Sequence, residues 1–266
     1  MPGRTVAFKT LLQAAHTLAD KSGPLILKHF RRAMTVENKQ AGGFDPVTAA
    51  DRGAEKLIAA ELARRFPDHG LIGEEFGSVR AEARYRWVID PIDGTRSFII
   101  GTPMWGTLIG LLDGGRAALG VLDQPYTGER FWSAERASYM RSVGGRTRKL
   151  STRACPQIGE AIVATTHPDL FAAGYEAESF AKLKSAARMT RFGGDCYSYG
   201  MLAAGLVDVV MEAGLKSHDI VAIIPIIERA GGRVTTWDGE PATSGGNVLA
   251  CGDAKLHDKV LRMIRR

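Results

Sequence analysis

Short apolar segments dominate the chain between residues 86 and 133, and they restrict the fold more than any other feature. Four of them, at 86–90, 106–112, 117–122 and 130–133, have the length of a strand. Apolar runs of this kind between glycines and prolines are typical of buried strands. The turn Asp113-Gly-Gly-Arg116 joins the second segment to the third. Its composition predicts a hairpin, so we expect an antiparallel sheet here.

Apolar residues at helical spacing precede this region, and predicted strands that alternate with predicted helices follow it. The first predicted helix covers 5–33 and contains Gly23-Pro24, where a helix can break, and the second covers 52–65. The basic, glycine-rich stretch 141–149 is the best candidate for a boundary between two halves. Beyond it the predicted strands are 161–166, 207–212, 233–237 and 247–251, and the predicted helices are 170–187, 197–205, 219–230 and 253–265. This alternation indicates α/β layering.

The composition excludes disordered and fibrous proteins. The 266 residues are 45% hydrophobic and 24% charged, with a formal net charge of +6. The N-terminal residues do not have the pattern of a signal peptide, and no run approaches the roughly 20 apolar residues of a membrane span. Cys155, Cys196 and Cys251 are too widely spaced for a disulfide framework or a structural zinc site. We therefore expect a cytoplasmic protein without a membrane partner.

Two basic stretches, 141–153 and 255–266, have two interpretations. They form either a patch for nucleic acid or another polyanion, or a solvated loop and the outer face of the last helix. No aromatic residue interleaves with the charges, as base stacking would require. We favour the second interpretation and expect no nucleic-acid partner.

Two acids stand at the end of the first predicted strand, where residues 87–95 read Trp-Val-Ile-Asp-Pro-Ile-Asp-Gly-Thr. The proline cannot donate to a sheet ladder and the glycine permits unusual backbone angles, so the chain must leave the sheet here. Asp90 and Asp93 can then point at one place, with Glu74 as a third acid. Clustered carboxylates repel one another unless a cation neutralises them, and oxygen ligands favour Mg²⁺ over zinc. By itself, the segment is more readily interpreted as a simple turn, with Glu74 on the surface.

Two more acids have a structural as well as a catalytic explanation. Thr48 and Asp51 have the spacing of a capping box at the start of the second helix. A carboxylate there would also be able to orient a nucleophilic water. Asp219 precedes an apolar stretch typical of a buried helix, where it would serve as the N-cap.

Four segments occur in a characteristic order: Asp-Pro-Val-Thr-Ala-Ala-Asp at 45–51, Gly-Glu-Glu at 73–75, the 87–95 segment, and His-Asp-Ile-Val-Ala at 218–222. Together they resemble the inositol monophosphatase family of Mg²⁺-dependent, lithium-sensitive phosphatases, over nearly the whole chain. The resemblance implies an α/β protein with αβαβα layers in two tightly coupled halves. Residues 1–144 would carry most metal ligands, and 145–266 the last ligand and the residues that select the substrate.

The resemblance also implies the metal ligands. One Mg²⁺ would be held by Glu74, Asp90 and the carbonyl of Ile92, and a second by Asp90, Asp93 and Asp219. A third, weaker ion would lie near Glu74.

The resemblance also implies which residues bind the phosphate and activate the attacking water. The phosphate would accept hydrogen bonds from the backbone N–H groups of Gly94 and Thr95, at a glycine that lets the backbone approach it closely. Thr95, paired with Asp51, would activate the attacking water, and Glu74 would take part through its metal. The family further suggests a homodimer.

The substrate is a separate inference. Residues 94–98, 105–110 and 193–197 resemble the histidinol-phosphatase subgroup, which removes phosphate from L-histidinol phosphate in histidine biosynthesis. That substrate carries an ammonium and an imidazole, so its site should offer carboxylates outside the metal cluster. Asp195 and Glu212 are the candidates.

The roles of two arginines and one histidine in the substrate pocket have more than one interpretation. Arg96 or Arg191 would clamp the phosphate or orient the two acids, although Arg191 is as readily a surface residue. His218 departs from the family pattern, and we disfavour it as a metal ligand because the sequence has no second histidine at ligand spacing. The alternative substrates are inositol monophosphate, a sugar phosphate or a nucleotide. An inactive nucleic-acid-binding scaffold is disfavoured, because every expected metal and water-activating position is filled.

Overall fold

The computed structural model describes residues 6–33, 35–38 and 46–265. Residue 5 of the first predicted helix, Asp45 and Arg266 lie outside the described residues. None of the described helices is both long and apolar enough to cross a bilayer.

Two long helices cover one face of the eight-stranded sheet described below, which we call the first sheet. The sequence suggested a break at Gly23-Pro24. Helix α1 (Phe8–Leu27) instead runs through both residues and ends at Leu27. Pro24 lies in the last turn, where a missing N–H costs a single hydrogen bond. Gly23 packs so closely that an added Cβ would lie 3.0 Å from Pro125. Helix α2 (Ala49–Arg65) begins three residues earlier than predicted.

The predicted antiparallel region forms the larger part of an eight-stranded sheet. Its strands are β3 (Gly70–Gly73), β4 (Ser78–Val79), β5 (Tyr85–Asp93), β6 (Gly106–Asp113), β7 (Arg116–Gln124), β8 (Glu129–Ser133), β9 (Ser138–Arg141) and β10 (Thr147–Lys149), in the order β10-β9-β8-β7-β6-β5-β3-β4. The hairpin between β6 and β7 is confirmed. A separate two-residue pair joins β1 (Glu37–Asn38) to β2 (Pro46–Val47).

The stretch 141–149 is a hairpin at the edge of this sheet, because β9 and β10 pair antiparallel across it. The first sheet therefore extends a few residues beyond position 144. The division of the chain at that position stays a prediction.

The second half builds a five-stranded sheet in the order β12-β11-β13-β15-β14. Its strands are β11 (Ile162–Thr165), β12 (Met189–Phe192), β13 (Val209–Leu215), β14 (Arg233–Thr236) and β15 (Gly246–Cys251). The short helix α3 (Thr95–Ile99) lies between β5 and β6 of the first sheet. The helices of the second half are α4 (Tyr175–Ala186), α5 (Asp195–Ala203), α6 (Ser217–Ile220), α7 (Ile223–Ala230) and α8 (Ala254–Ile264). The predicted helix 219–230 is split between α6 and α7. Pro225 cannot donate to the carbonyl four residues earlier, which accounts for the interruption at 221–222.

Two outer helical layers, two sheets and a helical layer between the sheets make five layers, so the predicted αβαβα arrangement is confirmed. Helices α1 and α2 pack on the first sheet through residues such as Leu18 and Ile58. Helices α5 and α7 fill the space between the sheets, where Phe131 of the first sheet shares a core with Val210 of the second. Helices α4 and α8 cover the far face of the second sheet.

Candidate active site

Glu74 and Asp90 lie side by side because the strands before them are parallel. Strands β3 and β5 pair in register, with Gly73 opposite Ile89, so the next residue of each emerges at the same sheet edge. The pairing of β5 with β6 then shifts between Asp90 and Asp93, which is the departure from the ladder that the sequence predicted. The Ile92 N–H donates to Asp90 Oδ1 at 2.9 Å and holds this turn.

The second half of the chain completes the acidic cluster. The Cys196 N–H at the start of α5 donates to Asp93 Oδ1 at 2.8 Å. The sequence suggested that Asp219 is the N-cap of its helix, but the N-cap is Lys216. The Lys216 N–H donates to Asp219 Oδ2 at 2.6 Å. One oxygen from each of Asp90, Asp93 and Asp219 lies within 4.8 Å of the other two.

The electrostatics of this cluster fit a divalent cation. Burial, followed by the charges of neighbouring acids, raises the pKa values of Asp90 and Asp93 well above the ordinary range. Burial also raises the pKa of Asp219, while His218 and the Lys216 N–H oppose the rise. Carboxylates forced together away from water are stabilised in their charged form only by a positive charge, and hard oxygen donors suit Mg²⁺.

Asp51 serves as the predicted cap and has a perturbed carboxyl group. Its Oδ2 accepts hydrogen bonds from the Thr48 N–H at 2.8 Å and the Thr48 hydroxyl at 2.6 Å. Burial raises the pKa of Asp51 to about 6, although the Thr48 hydrogen bonds oppose the rise and Glu74 adds to it. Such a carboxylate titrates near the working range of a general base.

Gly94 and Thr95 form the turn after the metal-ligand segment. Gly94 has φ +83°, and an added Cβ would lie 2.7 Å from the Met104 carbonyl oxygen, so both conformation and space require glycine. The Thr95 hydroxyl donates to the Ile92 carbonyl at 3.0 Å. The Thr95–Asp51 pair that the resemblance implied is not among the hydrogen bonds of the described residues, because the Thr95 hydroxyl donates to Ile92 instead.

Asp195 and Glu212 form a second acidic group next to the first. Asp195 has φ +40° and accepts a 2.7 Å hydrogen bond from the Ser97 hydroxyl. Glu212 Oε1 accepts bonds from the Thr166 N–H at 2.7 Å and the Thr166 hydroxyl at 3.0 Å. Burial raises the pKa of Glu212 to about 7, with a smaller contribution from the charge of Asp195. Glu212 is 2% exposed, and its Oε2 makes no well-formed hydrogen bond to a described residue, although the Thr165 hydroxyl is close.

The two predicted arginines differ in their relation to this group. Burial raises the pKa of Asp195, and the charge of the exposed Arg96 opposes that rise, so Arg96 lies near the second acidic group. Arg191 is exposed on the edge strand β12, opposite Ala164 of β11. Among the residues that the structure describes, no hydrogen bond or ion pair joins Arg191 to either acidic group.

Glu55 is the main residue that the sequence argument missed. It is 1% exposed on α2, and its Oε2 and Oε1 accept the N–H groups of Glu75 at 2.8 Å and Phe76 at 3.0 Å. An added Cβ on Gly73 would lie 1.9 Å from Glu55 Oε1. Glu55 thus fixes the loop that carries Glu74. Its position four residues after Asp51, on the same face of α2, was the available signal.

Comparison with known proteins agrees with this geometry. Residues 8–266 match the inositol monophosphatase family. The chain is 39% identical to "Bifunctional phosphatase IMPL2, chloroplastic" of Arabidopsis thaliana, over 94% of this chain and 73% of that protein. It is 37% identical to a histidinol-phosphatase of Chlorobaculum parvum, over 90% and 93% of the two chains. The solved structure of an inositol monophosphatase from Zymomonas mobilis superposes with a TM-score of 0.86 at 39% identity, covering 98% of this chain and 99% of the other. The chain therefore belongs to the inositol monophosphatase family and is a phosphatase of that family.

Proposed function

We propose that this protein hydrolyses L-histidinol phosphate to L-histidinol and phosphate with Mg²⁺ as its cofactor. Glu74, Asp90 and the Ile92 carbonyl would hold one ion, and Asp90, Asp93 and Asp219 a second. A third ion near Glu74 is part of the proposal. The support is the buried acidic cluster, whose raised carboxyl pKa values call for positive charge.

The acidic pair Asp195 and Glu212 is the observation that carries the choice of substrate. Polyol hydroxyls can also donate to carboxylates, but only a cationic group brings compensating charge to the two carboxylates that lie beside the metal-ligand cluster. The buried Oε2 of Glu212 lacks a well-formed bond, and a buried acceptor without a donor costs about 1–3 kcal/mol. A cationic substrate group would supply both the hydrogen bond and the compensating charge.

The chain's own residues suit the chemistry of phosphate release. When bound, the divalent cations would neutralise the carboxylates, polarise the phosphate and lower the pKa of water. The N–H groups of Gly94 and Thr95 would hold phosphate oxygens at the start of α3. Asp51 Oδ1, which is not used by the cap, would accept the proton from the attacking water, and the Thr95 hydroxyl would orient that water. Arg96 or Arg191 would clamp the phosphate or orient Asp195 and Glu212.

The relatives support two substrates. The histidinol-phosphatase of Chlorobaculum parvum favours the first proposal, at 37% identity. The inositol monophosphatase of Zymomonas mobilis favours inositol 1-phosphate, at 39% identity. The charge of the Asp195 and Glu212 pair supports the cationic substrate, because burying two uncompensated acids against a neutral sugar would be costly.

Three further parts of the proposal rest on the family resemblance and the composition. We expect a homodimer, a cytoplasmic location and two coupled halves that meet near residue 144. The basic stretches 141–153 and 255–266 would be solvated surface, so no nucleic-acid partner is included.

A comparison of substrates tests the assignment. We expect kcat/KM for histidinol phosphate to exceed that for inositol 1-phosphate by at least tenfold on the purified Mg²⁺-loaded protein. Asp195→Asn should raise KM for histidinol phosphate with little change for inositol 1-phosphate. Asp169→Asn is the matched control, since the Asp169 side chain is 87% exposed. Equal kcat/KM values, or a preference for inositol 1-phosphate, would reject histidinol phosphate as the substrate.

A further inference from the structure

His218 lies in the metal-ligand cluster, although the sequence disfavours it as a ligand for lack of a second histidine at ligand spacing. One ring nitrogen of His218, one oxygen of Glu74 and one oxygen of Asp90 all lie within 4.8 Å of one another. Ligands on opposite sides of an octahedral ion are about 4.2 Å apart when each is about 2.1 Å from the metal. The 4.8 Å limit exceeds this span by about 0.6 Å, so a small movement of the side chains brings the three atoms onto one cation.

Local structure brings the ring there. His218 belongs to α6, the short helix that follows β13, and α6 packs against β5 and β6 of the first sheet. The same packing that delivers Asp219 to the cluster thus carries its neighbour to the side where Glu74 emerges.

The surroundings of His218 favour a ligand role over a structural one. The residue is 9% exposed, so its ring is largely removed from water. Its Nε2 is 3.5 Å from Asp219 Oδ1, beyond the usual range of about 2.7–3.2 Å for an N–H···O hydrogen bond. A neutral imidazole also adds a donor to a crowded acidic cluster without adding another negative charge.

We infer that His218 supplies a nitrogen ligand to the divalent cation held by Glu74 and Asp90. This inference rests on the metal site of the proposed function and adds a ligand to it. Asp90 belongs both to this group and to the group with Asp93 and Asp219, so the two cation positions adjoin through Asp90.

The inference changes the metal that the site should prefer. Imidazole binds first-row transition metals more strongly than it binds Mg²⁺, while carboxylates accept either. The position at Glu74, Asp90 and His218 should therefore bind Mn²⁺ more tightly than Mg²⁺. The position at Asp90, Asp93 and Asp219 consists of carboxylates and should discriminate less.

Pulsed EPR of the Mn²⁺-loaded protein, without substrate, tests the ligand directly. We expect coupling of Mn²⁺ to a directly bound imidazole ¹⁴N in the wild-type protein, replaced by ¹⁵N coupling when histidine is ¹⁵N-labelled. His218→Phe should abolish the coupling and weaken Mn²⁺ binding by about tenfold or more, since even loss of a partner to a ligand costs about 10–100-fold. His167→Gln should retain it, because the His167 side chain is 56% exposed.

The possible failures are distinguishable. Bound Mn²⁺ without nitrogen coupling in the wild-type protein would overturn the role of His218 and leave the carboxylate sites of the proposed function standing. Coupling that persists in His218→Phe would assign the nitrogen to another histidine and also overturn the inference. If neither Mn²⁺ nor Mg²⁺ binds the wild-type protein in calorimetric titration, both the inference and the metal dependence of the proposed function fail. The labelled wild-type experiment needs no variant, so a misfolded His218→Phe protein would not block the test.

Discussion

Glu212→Gln should stabilise the metal-free protein while impairing recognition of a cationic substrate. Both hydrogen bonds from Thr166 go to Glu212 Oε1, so a glutamine carbonyl can accept them unchanged. The variant removes the buried charge and places an amide NH₂ where Oε2 lay, beside the Thr165 hydroxyl, which can accept a hydrogen bond from it. Burial raises the pKa of this carboxyl from 4.5 to about 7. At pH 8, where the group is ionised in both states, that rise costs the folded protein about 3 kcal/mol, at about 1.4 kcal/mol per pH unit.

The pH dependence gives the sign of the effect. A carboxyl whose pKa is raised by folding binds its proton more tightly in the folded state, so its contribution to stability declines as pH rises from about 4.5 to about 7. At pH 5 the unfolded group is largely ionised and the folded group largely protonated, and the cost is only about 1 kcal/mol. The gain from Glu212→Gln should therefore be about 3 kcal/mol at pH 8 and about 1 kcal/mol at pH 5.

Urea denaturation in EDTA at the two pH values measures this difference. Glu240→Gln, on the exposed turn after β14, is the control and should change the free energy of unfolding little at either pH. In the Mg²⁺-loaded protein, Glu212→Gln should raise KM for histidinol phosphate. A stability change that is equal at pH 8 and pH 5, or a loss of stability at pH 8, would refute the claim that Glu212 carries a costly buried charge.

Three other perturbations have expected outcomes. Glu55→Gln should destabilise by about 1–3 kcal/mol in the same denaturation assay, because its two oxygens each accept a separate N–H and the amide NH₂ would face one of them; a stability gain would contradict this. Asp93→Asn should keep the far-UV circular dichroism spectrum but reduce phosphate release by orders of magnitude, and near-normal turnover would make Asp93 a turn residue only. Finally, because folding raises the pKa values of Asp51 to about 6 and Glu212 to about 7, metal-free protein should have a higher Tm at pH 6 than at pH 8. Added Mg²⁺ should raise Tm more at pH 8 than at pH 6, because protons and Mg²⁺ compete for the same carboxylates. A larger rise at pH 6, measured by calorimetry, would contradict this competition.

Local patterns in the sequence predicted the elements with strong periodicity or specific turns. The β6–β7 hairpin and the cap at Thr48 and Asp51 form as their residues suggested, because each depends on atoms only a few residues apart. Strand β12 was missed because it is short and exposed at an edge. Gly23-Pro24 did not break α1, since packing against Pro125 and a position near the helix end offset the lost hydrogen bond.

The sequence by itself determined the chemistry of the site: acids at a strand end, followed by a glycine that the turn requires. Only the tertiary structure decided which side chains meet. The parallel pairing of β3 with β5 brings Glu74 beside Asp90, and the packing of α6 on the first sheet adds Asp219 and His218. Spacing along the chain fixes geometry over a few residues, whereas convergence between distant elements depends on how layers pack. For the same reason, Glu55→Gln and Glu212→Gln should change stability in opposite directions. The N–H donors to Glu55 use both of its oxygens, whereas the Thr166 donors to Glu212 use only one.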